Sequence, residues 1–406
     1  MMRRILLLSS LIFLACQPKT AEKGVTMFRE DLEFLQKHLS VVLLKSADGQ
    51  ALVAVAPSLQ GRVLTSSADG MTGDSFGWIN RELIASGENN KHINAFGGED
   101  RFWLGPEGGQ FSIFFRPGEP FDLEHWWTPE PINEGGYDVL EQSDVAVRFA
   151  KAMRLINYSG TSFDLELQRT VRLLTNDEAS QRFGYVFPSG LKRVAFESQN
   201  VIKNTGGEPW QKETGLLSVW ILGMYIPSPA TTIVIPFKPG DEAQMGAKVN
   251  DAYFGKPPAE RLAVRDSVLF FSGDGQYRSK IGINARRAKN VLGSYAAANR
   301  VLTLVTFNLP QDATDYVNSM WEIQAQPFAG DVVNSYNDGP PAPGVKPMGP
   351  FYELETSSPA AALASGETLE HVHTTLHLQG DVEQLDAVSR ALLGVSLREI
   401  ETALPK

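Results

Sequence analysis

Residues 162–174, SFDLELQRTVRLL, decide the fold class of this chain. Phe163, Leu165, Leu167 and Val171 fall on one side of a two-residue repeat, and Asp164, Glu166, Gln168, Thr170 and Arg172 fall on the other. Side chains alternate across a strand, so this is a half-buried strand with a polar face. Arg169 interrupts the apolar side. Similar β-rich runs precede it at 41–44, 51–56, 62–66, 145–149 and 152–158. Others follow at 194–203, 216–225, 231–236, 268–271, 280–283, 288–295, 301–307, 351–356 and 371–378. Turn residues such as Ser46-Ala47-Asp48-Gly49, Asn204-Thr205-Gly206-Gly207 and Pro239-Gly240 separate them. Helical periodicity is confined to the ends. Phe28, Leu32, Leu35 and Leu39 share one face of a helix over 27–39, and Val382, Leu385, Val388 and Leu392 share another. Ser396-Leu397-Arg398-Glu399 has the form of a capping box opening a last short helix, and 312–319 reads as one more. The prediction is all-β: one large antiparallel domain with a few peripheral helices.

The chain has 406 residues, 43% of them hydrophobic, enough for a sizeable core. Its net charge is −10 and it has no basic block, which argues against nucleic acid as a partner. Met1-Met2-Arg3-Arg4 is a basic n-region, and 5–14 is an apolar run too short to span a bilayer. Phe13-Leu14-Ala15-Cys16 resembles a bacterial lipobox, which implies lipidation of Cys16 and attachment to a membrane through that anchor. The alternative is a plain secretory signal with an incidental cysteine. Gln17 is not the aspartate linked to inner-membrane retention, so the expected address is the cell envelope, at the outer membrane. The expected organisation is a signal peptide over 1–15, a tether over 16–26 and a single β domain over 27–406. With no second cysteine there is no disulfide framework, and a lipidated Cys16 leaves no thiol for catalysis.

Three stretches carry residues suited to chemistry. The first, 92–115, is HINAFGGEDRFWLGPEGGQFSIFF. Its two Gly-Gly pairs frame Glu99, Asp100, Arg101, Trp103 and Glu107, and its end, 110–115, reads as a buried strand. Glycine serves where the backbone takes positive φ or passes close to another group. The stretch is either a loop presenting polar groups or a turn region braced by an Arg–Glu pair. The long loop at 117–137 follows, with His125-Trp126-Trp127; the tryptophans either stack on sugar rings or pack in the core. The second stretch places His371, His373, Thr375 and His377 on one face of a strand. A His-x-His pair can chelate a metal, but 371–377 spans roughly 20 Å at the strand rise, too far for all three histidines to share one ion. A polar binding face or a hydrogen-bonded ladder is the preferred reading, with neither metal nor cofactor expected. The third places Glu353 and Glu355 on one face with Tyr352 and Leu354 opposite. Paired like charges raise one pKa toward the range of acid–base work, or stand exposed at a strand end.

Leu354-Glu355-Thr356, followed by Pro359, Leu363 and Gly366-Glu367, resembles the late strand and turn of galactose mutarotases (aldose 1-epimerases). The strand at 163–174 and the Asn204-Thr205-Gly206 turn are similar to that family's strand pattern. The resemblance covers 40–380 and implies a large antiparallel β-supersandwich with a concave sugar-binding face. On it, Glu355 is the general base at the anomeric hydroxyl. Two family histidines are missing. Asn94-Ala95-Phe96-Gly97-Gly98 holds Phe96 where the family has histidine before glycine, and the second motif has no counterpart. His92 or His125 substitutes only if the fold brings it near Glu355. The Gly-Gly-Glu-Asp-Arg-Phe-Trp-Leu-Gly-Pro-Glu-Gly-Gly core is closer to a mutarotase-like group of bacterial lipoproteins. The resulting expectation is a carbohydrate-binding envelope lipoprotein acting at the anomeric centre of a sugar. Its catalytic candidates are Glu355, Glu107 and His371; its binding candidates are Glu99, Asp100, Arg101, Trp103, Trp126, Trp127, Glu353 and His373. The alternatives are a non-catalytic glycan-binding module and a glycoside hydrolase using paired carboxylates such as Glu107 and Glu355.

Overall fold

The computed structural model describes residues 26–405. The signal segment and the lipobox with Cys16 lie outside the described residues. The strands, in chain order, begin with β1 (Val42–Lys45), β2 (Leu52–Ala56), β3 (Arg62–Ser67), β4 (Arg101–Gly105), β5 (Asp138–Gln142) and β6 (Ala146–Ile156). They continue with β7 (Ser162–Leu173), β8 (Lys192–Asn204), β9 (Ser218–Tyr225), β10 (Thr231–Pro236), β11 (Leu262–Val264) and β12 (Val268–Ser272). The last six are β13 (Ser279–Asn284), β14 (Val291–Ala296), β15 (Val301–Phe307), β16 (Asp331–Asn337), β17 (Tyr352–Ser357) and β18 (Thr368–Gln379).

These strands form three sheets. One is a small sheet β1-β2-β3, one has ten strands in the order β11-β12-β10-β14-β15-β18-β8-β7-β6-β5, and one has five in the order β13-β16-β17-β9-β4. Every pairing among the named strands is antiparallel. The all-β expectation is met.

The core lies between the large sheets. Ile281 and Ile283 of β13, Val333 of β16 and Leu354 of β17 cluster with Ile233, Ile235, Leu269, Phe271 and Val305 of the ten-stranded sheet. Phe102, Leu104, Val219 and Ile221 meet Phe163, Leu165, Leu167 and Phe196 in a second cluster. Burying aliphatic and aromatic side chains is the dominant stabilising term, roughly 1.5–3 kcal/mol for each fully buried one. The other face of the ten-stranded sheet is covered by helices Val382–Leu392 and Leu397–Glu401, through Leu385, Val388, Leu397 and Ile400. Helix Phe28–His38 covers the small sheet through Phe28, Leu32 and Leu35.

Four local readings change. Residues 110–115 form turns, not a strand: Ser112 donates to the Glu107 carbonyl, and the Ile113 N–H donates to the Pro106 carbonyl. The segment folds on itself, and Phe114 and Phe115 bury in an aromatic cluster. Residues 312–319 are not helical. A helix unforeseen from the sequence, Asn176–Phe183, opens on a capping box between Thr175 and Glu178. β16 was likewise unforeseen, because DVVNSYN is too polar to read as a buried strand, yet all seven of its residues are buried.

Candidate functional site

The five-stranded sheet shows its second face to a cavity of about 460 Å³. Register explains which side chains arrive there, since directly opposed residues share a face. One rung runs Lys280–Tyr336–Glu353–Met224 across β13, β16, β17 and β9. The next runs Asn334–Glu355–Leu222–Arg101, and a third runs Ser357–Trp220–Trp103. Charged and aromatic groups from all five strands thus converge on one floor. Loops supply the walls and roof, with His92, Glu107, Trp126, Phe254, Trp321 and Met348 among the lining residues.

Two glycine pairs make the roof geometry possible. Gly97 has φ 91°, and a Cβ there would fall 2.0 Å from the Trp78 carbonyl oxygen. Gly109 has φ 82°, and its Cβ would collide with the Gln324 amide. Both positions therefore require glycine, which holds 92–115 down against the sheet edge.

The floor is ionic. Arg101 Nη2 lies 3.2 Å from Glu353 Oε1, and its guanidinium lies over the Trp103 ring at 4.0 Å. Lys280 Nζ lies 3.1 Å from Glu355 Oε2, which also accepts a 2.8 Å hydrogen bond from Trp220 Nε1. The ammonium sits over the Trp220 ring at 4.4 Å. The costly like-charge pair Glu353/Glu355 is eased by a cation beside each and by burial that pushes the Glu353 carboxyl up to about 8. Burial pulls the Lys280 pKa down, but the fields of Glu355, Glu107 and Glu353 outweigh it and leave the ammonium above its ordinary value. Burial pushes the Glu107 carboxyl up, and the neighbouring charge of Glu355 adds to the rise. Burial likewise raises Glu353, against the opposing pull of Arg101.

The sequence candidates divide between two places. Arg101, Trp103, Glu107, Trp126 and Glu353 line the cavity. Glu355 lies beneath it, bonded to Trp220 and Lys280, with Oε1 unpartnered. Trp127 points elsewhere: its ring stacks on the His92 imidazole at 3.6 Å. His92 lines the cavity and donates from Nδ1 to the Trp126 carbonyl at 2.8 Å. His125 is held by Asp122 at 2.6 Å, away from the floor. Phe96 packs against the small-sheet cluster, under the guanidinium of Arg62.

Glu99, Asp100, His371 and His373 do not share the cleft expected of them. They lie on the other side of the five-stranded sheet, in the sandwich interior. Glu99 Oε2 meets His377 Nε2 at 2.7 Å, and Asp100 meets Arg169 at 2.6 Å, all four side chains being buried. His371 and His373 both bond the Thr356 hydroxyl at 2.8 Å. The reason is period two: Thr356 is next to Glu355 on β17 and so points through the opposite face. Among the described residues no group of three or more His, Cys, Asp or Glu could hold a metal ion.

Lys280, Trp220, Arg278, Phe254, Trp321 and Tyr336 complete the site and went unrecognised in the sequence. A signal was present for two of them: a lysine inside the apolar run SKIGIN and a tryptophan inside SVWILGMY.

The chain belongs to a family of unknown function, DUF6786, whose model matches residues 26–404. No curated protein sequence matches it. Solved structures similar to it include a provisionally assigned aldose 1-epimerase from Escherichia coli K12, with 11% identity and TM-score 0.49, covering 83% of this chain and 98% of that one. A galactose mutarotase-like protein from Lactobacillus casei ATCC 334 has 9% identity and TM-score 0.44, covering 84% and 100%. A galactose mutarotase related enzyme from Lactobacillus acidophilus has 10% identity and TM-score 0.47, covering 83% and 97%.

Proposed function

We propose that this member of the family binds a carbohydrate in the cavity over the five-stranded sheet. One observation carries the reading: aromatic walls and an ionic floor meet in a single space. Trp103, Trp126, Trp220 and Trp321 offer apolar faces to the cavity, while Arg101, Glu107, Lys280 and Glu353 offer donors and acceptors to it. Sugar rings carry both kinds of surface, an apolar face of C–H groups and a rim of hydroxyls, and such pockets place a few polar groups in an apolar lining.

Action at the anomeric carbon is the finer reading, supported by the state of Glu355. Lys280 and Trp220 hold one of its oxygens and leave the other without a partner, as a positioned base requires. Because Oε1 is buried beneath the floor, the step requires the anomeric hydroxyl to seat against the floor beside Glu353. Glu355 Oε1 then takes its proton as the C1–O5 bond breaks, and the ring oxygen receives a proton from the buried Glu107 carboxyl. The open-chain aldehyde turns about C1–C2, and the reverse transfers close the other anomer. NMR of freshly dissolved sugars measures the exchange directly. Acceleration by the wild type and its loss in Glu355→Gln, with binding retained, is the expected result; equal rates with and without protein leave binding alone as the function.

We also place the protein at the cell envelope, as one β domain tethered through lipidated Cys16. Radiolabelled palmitate incorporated by the wild type and not by Cys16→Ala supports that address; membrane release of the wild type as a plain soluble chain contradicts it.

A further inference from the structure

Among the described residues, one cation of the cavity stands outside any ion pair. Arg101 is bonded to Glu353 and Lys280 to Glu355. Arg278 also lines the cavity, and among the described residues it has no ion-pair partner. Its guanidinium lies 3.7 Å over the Phe254 ring, which packs edge-on against Tyr336 at 6.0 Å and Trp321 at 6.3 Å. The cation is therefore held in place by aromatic faces rather than by a carboxylate. Three buried N–H groups of lining residues also lack any acceptor: Nε and Nη1 of Arg101, and Nε1 of Trp126. A buried donor without an acceptor costs about 1–3 kcal/mol. Four donor groups left over around one void describe what the void receives. The buried acids Glu107 and Asp338 feel the Arg278 charge and Glu124 is exposed, but none of the three forms an ion pair with Arg278.

Resting on the carbohydrate reading above, we propose that the ligand is a sugar bearing a carboxylate, a uronic-acid unit. Arg278 takes the carboxylate, and the spare N–H groups of Arg101 and Trp126 take ring or hydroxyl oxygens. A carboxylate fits better than a phosphate on shape and on repulsion. The planar fork of the Arg278 guanidinium matches the two coplanar oxygens of a carboxylate, and a dianion would meet more repulsion from the lining acids Glu107 and Glu124. Stacking on Phe254 orients the fork before the ligand arrives, so less entropy is lost on binding.

Calorimetric titration of the full chain separates the outcomes. The probes are glucuronic and galacturonic acids, their methyl esters, glucose and galactose, and the hexose 6-phosphates. The acids are expected to bind about tenfold or more tighter than the esters and hexoses, as a charge-assisted hydrogen bond predicts. Raising the salt should shrink that advantage. In Arg278→Gln the acid-to-hexose affinity ratio should fall to about one, and Arg278→Lys should restore part of it. Equal affinity for acids and hexoses in the wild type, or a ratio that survives Arg278→Gln, overturns the proposal. Tighter binding of a 6-phosphate than of either acid overturns the carboxylate assignment. Binding of neutral sugars alone leaves the carbohydrate reading standing, whereas failure of every probe brings both down.

Discussion

Comparable numbers of buried ionisable groups lie on the two sides of the five-stranded sheet, and the two sides use them in opposite ways. On the interior face Asp100 is locked to Arg169, Glu99 to His377, and His371 and His373 to one threonine, with apolar clusters packed around them. On the other face Arg101 pairs with Glu353 at 3.2 Å and Lys280 with Glu355 at 3.1 Å, looser than the interior pairs, and a cavity of about 460 Å³ stands over them with donors left over. Burial of charge and buried polar atoms without a partner are common to both faces. Open space beside unspent donors belongs to one, and it separates a bracing network from a candidate binding site.

The sharpest test of that division is the Asp100–Arg169 pair. Both side chains are fully buried, and Arg169 also donates to the Gly61 carbonyl at 3.1 Å and to Asn200 at 2.6 Å. Removing one partner of such a pair strands the other charge and costs about 3–5 kcal/mol. Asp100→Ala should lower stability by that amount in urea denaturation while sugar affinity, measured under conditions where the variant is folded, stays close to wild type. A variant of normal stability with lost affinity would place Asp100 in the site and dissolve the comparison.

The faces should also differ in how pH acts on them. Burial pushes the His371 and His373 pKa values down to about 3 and about 4, and the charge of His373 adds to the effect on His371. The unfolded chain takes up those protons near the ordinary value of about 6.5, but the fold refuses them until much lower pH. Their contribution to stability is therefore full above the unfolded pKa and declines as pH falls, by up to about 1.4 kcal/mol per pH unit for each histidine. Glu353 works the other way. Its folded pKa is raised by burial, so the fold retains a proton that the unfolded chain releases, and stability declines as pH rises past the ordinary carboxylate range. Denaturation across pH should show the acid-side slope flattened in His371→Gln and the opposite slope flattened in Glu353→Gln. An acid-side slope untouched by His371→Gln refutes the assignment of that slope to the interior face.

The sequence showed the division only in part. Period two in 162–174 marked Arg169 as an interruption of an apolar face, and the same period set Glu353 and Glu355 on one side of β17 and the three histidines on one side of β18. Alternation says which residues travel together, but not which side of a sheet meets the core. That depends on the partner strand. β17 is flanked by β16, which was too polar to recognise, and by β9, which lies more than a hundred residues earlier in the chain. Lys280 reaches Glu355 across β16, so its role is invisible without that strand. The glycine pairs of 92–115 were legible as close approaches; the direction in which they aimed Arg101 and Glu99 was not.

The smallest expected effect is the most exacting. Trp126 and Trp127 are neighbours, and the sequence offers no reason to separate them. Trp126 is buried against Phe114 and Trp321 and lines the cavity, while Trp127 is half-buried on His92 and Arg116. Trp126→Ala should cost about 3–5 kcal/mol of stability, as large aromatic truncations in a core do, and remove one wall for the ligand. Trp127→Ala removes two half-buried contacts, the stack on His92 and the Arg116 cation over its ring, each worth about 1 kcal/mol, and the His92 bond to the Trp126 carbonyl does not depend on it. Sugar affinity in Trp127→Ala should therefore stay within about twofold of wild type. If both substitutions weaken binding equally, the ligand extends past the cavity onto the outer loop, and proximity to the void no longer decides which residues bind.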